Sequence, residues 1–212
     1  MRADIWSDIV CPWCYVGKAR FEKALNGFAH RDEVEVVYHS FELDPGYPAD
    51  KRGETNLQML ERKFAMSAAE ARGADGQVAA LAHAEGLGFE VERPIGNTFG
   101  LHRVIHLGLA KGVQRELLTA MNEAYFAQAR PVFDHDVITD VAAGVGLDPA
   151  AVRDVLDGDA WADEARRDEA QARQLGIGGV PFFVLDMRLG VSGAQATELF
   201  ARALDQAWEE RS

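Results

Sequence analysis

Apolar and polar positions divide the chain into three stretches of different rhythm. Near the start, Arg2 to Ser7 reads as a short strand anchored by Ile5, and Val34 to Phe41 is β-branched and aromatic, marking a second strand. Between them, from Cys14 to about Asn26, Phe21 and Leu25 recur four apart on one helical face, and Gly27 stands where the helix would stop. Strand, turn, helix and strand in this order form the first half of a βαβ unit.

Asp44-Pro45-Gly46-Tyr47-Pro48 breaks that rhythm. From about Thr55 to Leu175 the pattern is Ala-rich and mostly helical in period. Asn97-Thr98 precedes a helix carrying Leu101, Val104, Ile105 and Leu109, and Asp134 or His135 is placed to cap another. Asp148-Pro149 joins an N-cap residue to a proline at the first helical position. A further helix is expected from about Trp161 to Leu175.

After Gly176-Ile177-Gly178-Gly179 the β signal returns. Val180 to Leu185 reads as a strand, Asp186-Met187 as a tight turn and Arg188 to Ser192 as the hairpin partner. Phe182 and Phe183 are consecutive on that strand, so one of them should enter the core. Ala194 to Glu210 reads as a closing helix with Leu199, Ala203 and Leu204 inward. The pattern therefore predicts an α/β protein with a discontinuous domain, residues 1–50 and 176–212, interrupted by an all-helical insertion over 51–175.

Composition narrows the function classes. With 212 residues and 48% hydrophobic content, the chain can bury a core without disulfide staples. A net charge of -12 argues against a nucleic-acid partner, which requires clustered Lys and Arg, and disfavours anionic membranes. No apolar run approaches the roughly 18 to 20 residues of a membrane span. Asp4 falls where a secretory signal would need apolar residues, so a soluble cytoplasmic protein is expected. Cys11 and Cys14 are the only two cysteines. A reducing cytosol makes such a pair chemical rather than architectural.

At a helix start, two cysteines separated by two residues can close a disulfide. Unpaired N–H groups and the helix dipole would stabilise a thiolate at Cys11, the expected exposed nucleophile, while a more buried Cys14 resolves the mixed disulfide. Pro12 suits the first helical position because it has no N–H to leave unpaired, and Trp13 sets an apolar surface beside the sulfur. Half of a zinc site is a competing reading, but the histidines are scattered and none forms an obvious second half. His102 and His106 lie four apart without a third ligand, so no metal is expected and His102 is read as a surface or cleft residue. His39, alternating with Phe41, could tune the pair or serve as a hydrogen-bonded core residue. Lys18, one turn past Cys14, would add positive charge unless it is simply solvated.

Ser7-Asp8-Ile9-Val10-Cys11-Pro12-Trp13-Cys14-Tyr15-Val16-Gly17-Lys18 resembles the active-site segment of DsbA-family proteins of the FrnE-like branch. So do Phe41-Glu42-Leu43-Asp44-Pro45, Asn97-Thr98 followed by His102-Arg103, Gly178-Gly179-Val180-Pro181-Phe182-Phe183 and Val191-Ser192-Gly193-Ala194-Gln195. The resemblance implies a thioredoxin-like fold with a large all-helical insertion and disulfide oxidoreductase or isomerase activity. It makes Cys11 the attacking and Cys14 the resolving sulfur, and Pro181 a cis proline. Val180 would pair through its backbone with an extended peptide or glutathione, so that Pro12, Trp13, Val180 and Pro181 bind substrate. Tyr15, His39, Asn97, His102 and Ser192 are candidate cleft residues. No bound cofactor is implied, only glutathione or another cellular thiol as co-substrate, with a disulfide- or thiol-containing protein or small molecule as partner. Related 2-hydroxychromene-2-carboxylate isomerases and kappa-class glutathione transferases carry serine at the Cys11 position and generally lack the second cysteine. A glutathione-dependent isomerase or transferase is therefore the alternative reading.

Overall fold

The computed structural model describes residues 1–211 and divides into two compact units: Met1–Leu43 together with the chain from Ala165 onward, and Asp44–Glu164.

The first unit is built on a four-stranded sheet. Its strands are β1 (Arg2–Ser7), β2 (Glu35–Ser40), β3 (Phe182–Leu185) and β4 (Leu189–Ser192), in the order β2-β1-β3-β4. β1 runs parallel to β2 and antiparallel to β3, which in turn pairs antiparallel with β4. A parallel neighbour needs a crossover. Helix α1 (Pro12–Gly27) provides it, ending close to where Gly27 predicts.

Central β1 is buried on both faces, as a strand covered on each side must be. On one face, Phe21 of α1 meets Phe183 at a ring separation of 5.2 Å, and Phe183 meets Phe200 of the closing helix at 4.6 Å. On the other, Trp6 and Val184 pack with Ala172 and Ile177, and Phe182 lies against that cluster. The Phe182-Phe183 pair is thus split between faces, with Phe183 the fully buried member.

Ala172 belongs to the helix Ala162–Gln174, most of which groups with the sheet. The unit boundaries consequently fall after Leu43 and Glu164, rather than after residues 50 and 175. The reason is physical. The helical period of this segment is visible in sequence, but not the fact that its apolar stripe covers Trp6.

The second unit is all helical apart from one isolated β-bridge: α2 (Asn56–Phe64), α3 (Ala68–Ala84), α4 (Phe99–Ala110), α5 (Gln114–Asn122), α6 (His135–Gly144) and α7 (Pro149–Asp157). Two further helices, both with ends in the first unit, are α8 (Ala162–Gln174) and α9 (Thr197–Glu209). Asp148 caps α7 as its sequence signal promises, its carboxylate accepting from the Ala150 N–H at 3.1 Å. A π-turn over Glu123–Ala127 is invisible to periodicity. Here the buried Arg93 forks onto Asp75 at 3.0 and 3.1 Å, beneath the rings of Phe89, Tyr125 and Phe126. Among the described residues no helix is long and apolar enough to cross a membrane.

Candidate redox site

β1 stops at Ser7, and Asp8-Ile9-Val10 turns the chain into α1. The turn is held by the buried Asp8. Its carboxylate accepts from the N–H groups of Val10 (3.4 Å) and Leu43 (2.8 Å), and its carbonyl accepts from the Cys11 N–H (3.2 Å). Cys11 is the N-cap residue of α1 and Pro12 begins the helix. The Cys11 sulfur accepts from the Cys14 N–H at 3.4 Å, one of the helix donors that would otherwise lack a partner.

The other wall comes from the far end of the chain. The Val180–Pro181 bond is cis, and the Cys11 thiol points at the Val180 carbonyl 3.7 Å away. Around Pro181, the Gly193 N–H donates to its carbonyl at 2.9 Å and the Arg20 guanidinium donates to the Ala194 carbonyl at 2.9 Å. A Cβ on Gly17 would lie 2.9 Å from the Pro181 Cγ and 3.4 Å from the Ala194 Cα. A glycine here lets α1 come close to the proline loop.

Both cysteines are free thiols. The expectation of an exposed Cys11 over a buried Cys14 is corrected: each is 3% exposed, and Trp13 beside them is 45% exposed. Cys11 is covered because its sulfur folds back over the helix start and under the Val180 carbonyl. The Cys14 thiol is pushed well above the ordinary range, chiefly by burial and then by Cys11. Hydrogen bonds from the Ser7 side chain and the Asp8 backbone pull the other way.

The remaining candidates separate. Tyr15 is buried on α1, Val180 is half-buried, and Ser192 is exposed at the end of β4. His39 lies between two carboxylates, with Nδ1 2.8 Å from Asp168 and Nε2 2.7 Å from Asp4. Asp168 also accepts from the Ser40 N–H at 2.8 Å, and its carbonyl accepts from the Trp6 indole at 3.0 Å. The Trp6 ring stacks on His39 at 4.6 Å. Burial alone would lower the His39 pKa, but the hydrogen bonds and charges of Asp168 and Asp4 push it up to about 9. Burial raises Asp4, yet His39 and then Arg2 hold it below the usual carboxylate range. His39, half-buried on β2, is thus held toward its charged form by a carboxylate on each ring nitrogen.

Asn97 and His102 belong to the helical unit. Asn97 joins the Tyr47 carbonyl (2.8 Å) to the Phe99 N–H (2.9 Å) at the start of α4, and His102 is buried within that helix. Neighbouring Arg103 donates to the carbonyls of Val155 at 2.6 Å and Leu156 at 3.3 Å, satisfying the end of α7. Lys18 is buried and pairs with Glu22 at 2.9 Å rather than standing in solvent. No group of metal-ligating side chains occurs among the described residues.

Sequence reasoning passed over Ser7, Asp8, Gly17 and Arg20, all within or just beyond the motif. The signal was an acid and a serine in a segment otherwise needed for the core.

Residues 2–205 match the model of the DSBA-like thioredoxin domain. The chain belongs to the DSBA-like thioredoxin domain family. The crystal structure of a probable DsbA oxidoreductase from Streptomyces coelicolor is 52% identical, covering 100% of this chain and 92% of that one with a TM-score of 0.96. An uncharacterized protein of Bacillus subtilis, YwbO, is 27% identical over 212 residues, 98% of this chain and 97% of the relative. The cytosolic disulfide reductase DsbM from Pseudomonas aeruginosa, solved with glutathione, shares the fold at 16% identity. Its TM-score is 0.63, with 100% of this chain and 98% of DsbM covered. In this DSBA-like domain the cysteine pair, the cis proline and the helix start are held in one unit of the molecule.

Proposed function

We propose that this DSBA-like domain is a thiol–disulfide oxidoreductase working through Cys11 and Cys14. The observation that carries the reading is the position of the Cys11 sulfur, 3.4 Å from the Cys14 N–H and 3.7 Å from the carbonyl before Pro181. A sulfur at a helix start receives donors suited to a thiolate, and an extended substrate can pair beside the cis proline. The 52% identity to a probable DsbA oxidoreductase supports the same chemistry.

In the oxidative half-reaction on the protein, the Cys11 thiolate attacks one sulfur of a substrate disulfide. A Cys11–substrate disulfide forms and the other substrate sulfur leaves as a thiolate. Cys14 then loses its proton to solvent and attacks the Cys11 sulfur. The Cys11–Cys14 disulfide forms and the second substrate thiolate departs, so two electrons have passed to the substrate. Run backwards, the same steps oxidise a dithiol. Pro12, Trp13, Val180 and Pro181 would frame a disulfide- or thiol-containing protein or small molecule. Glutathione, bound in DsbM, is the proposed co-substrate, and the cytosol of that reductase the proposed setting.

Alkylation and mass measurement of reduced and oxidised protein test the reading. Cys11 and Cys14 should interconvert between dithiol and disulfide, and Cys14→Ser should retain a glutathione adduct on Cys11. Cysteines that remain alkylatable after oxidation with glutathione disulfide overturn it. A glutathione-dependent isomerase would instead convert a chromene carboxylate and keep that activity in Cys14→Ser.

A further inference from the structure

Half-buried Arg20 lies on α1, one turn beyond Gly17, on the helix that carries both cysteines. Its guanidinium Nη1 donates to the Ala194 carbonyl at 2.9 Å, in the segment between β4 and α9. The residue before, Gly193, takes a φ of +80° and donates its N–H to the Pro181 carbonyl at 2.9 Å. Val180 precedes that proline, and its carbonyl meets the Cys11 thiol at 3.7 Å. Cys11 is the N-cap of α1, its sulfur accepting from the Cys14 N–H at 3.4 Å. These contacts close on themselves. One helix supplies both the sulfur and the guanidinium, and the Val180–Pro181 wall is held between them.

The two contacts of α1 with this wall differ in kind. Gly17, whose added Cβ would lie 2.9 Å from the Pro181 Cγ, sets how near the wall can come. Close packing limits approach strongly but resists separation weakly, because each dispersion contact is small. The Arg20 bond resists separation, and a hydrogen bond from an ionised donor is about twice as strong as a neutral one. Such a tie is needed here. β4 is an edge strand whose sheet neighbour is β3, so no second strand steadies the chain that runs on to Ala194.

We propose that Arg20 is a positioning residue for peptide disulfides. Through Ala194 and Gly193 it holds Val180 where an extended peptide, paired with the Val180 backbone, lays its disulfide against Cys11. This rests on the oxidoreductase reading. In the step concerned, the Cys11 thiolate attacks one peptide sulfur and a Cys11–peptide disulfide forms. The other half leaves as a thiolate with the electron pair of the broken S–S bond. Arg20 exchanges no proton and takes no part in the bond changes. A disulfide without a peptide backbone therefore gains nothing from it, and Arg20 favours peptides over small disulfides.

Two probes separate positioning from general damage. One is the disulfide-linked dimer of an uncharged, end-capped Ala-Cys-Ala peptide; the other is 2-hydroxyethyl disulfide, which has no amide to pair. Loss of reduced protein is followed by mass after acid quench, with each probe in excess. Arg20→Met keeps the aliphatic stem without donors. It should react about tenfold more slowly with the peptide, the scale of a small misplacement, and within a factor of about two of the parent with hydroxyethyl disulfide. Arg20→Lys keeps a cationic donor and should recover most of the peptide rate. The pH dependence of Cys11 alkylation by iodoacetamide should be the same in parent and Arg20→Met. Should Arg20→Met fail to fold, Arg20→Gln, neutral and two bonds shorter, should show the same split. Unchanged peptide rates overturn the inference, as does equal slowing with both probes. So does a folded Arg20→Lys as slow as methionine, or an alkylation profile that moves along the pH axis, which would make Arg20 an electrostatic influence on the sulfur. A parent protein whose Cys11 reacts with neither disulfide overturns the oxidoreductase reading itself, a result distinct from any of these.

Discussion

Gly17 faces Pro181 so closely that a methyl group on it would press into the proline ring, its Cβ 2.9 Å from the Pro181 Cγ. Proline is a stiff neighbour, and the Ala194 backbone closes the other side at 3.4 Å. Gly17→Ala should therefore destabilise the protein by about 1–3 kcal/mol, the usual range for forcing a methyl into packed space. It should also slow adduct formation at Cys11, because the Val180 carbonyl moves with Pro181. Thermal unfolding and the glutathione disulfide reaction check both. A variant as stable and as fast as the parent would show that the loop yields freely.

His39 gives the fold a pH dependence whose sign is fixed by its partners. Its folded pKa of about 9 lies above the ordinary 6.5, so the folded state holds the proton more tightly. The stabilisation is fully present below about 6.5 and is lost as pH rises through about 9. It amounts to about 3 kcal/mol, from about 1.4 kcal/mol per unit of pKa. Denaturation midpoints should fall over this window in the parent and change much less in His39→Gln.

Asp168 serves His39, Ser40 and Trp6 at once. Asp168→Asn leaves the half-buried His39 imidazole with one carboxylate instead of two. The expected loss at neutral pH is about 3–5 kcal/mol, as for breaking a buried pair. The remaining alkaline loss should begin at lower pH than in the parent. Urea unfolding measured at neutral and alkaline pH would reveal either effect.

Cys14 should resist alkylation across the neutral range because burial keeps its thiol protonated. Iodoacetamide added to reduced protein at neutral pH should label Cys11 before Cys14, with Cys14 labelling at strongly alkaline pH or on unfolding. Peptide mapping decides this. Prompt labelling of Cys14 at neutral pH would contradict its protonated state.

The cap on α7 offers a contrast. Arg103→Met should cost about 1–3 kcal/mol by leaving buried carbonyls without their donor, with thiol exchange at Cys11 continuing in the folded variant. Thermal unfolding alongside the glutathione assay separates the two effects.

Local signals carried much of the fold. Asp148-Pro149, Gly27 and the β-branched ends are each written in a few neighbouring residues, and the Cys11–Cys14 spacing states its chemistry directly. What stayed hidden depends on residues far apart in sequence. His39 showed itself as an ambiguous histidine because its partners Asp4 and Asp168 come from other elements. Arg103 looked like part of a functional motif, but its carbonyl partners lie on another helix. The burial of Cys11 is hidden from sequence for the same reason, since the carbonyl that covers it belongs to Val180.

The pairing of β1 with β3 sets a condition on the order of synthesis. Cys11 leaves the ribosome early, but the segment that faces it is made only after the whole helical unit. Throughout that interval the cysteine pair exists without its opposing wall. A nascent chain would therefore carry two sulfurs with no shaped site around them, and that site would exist only once the last hairpin docks.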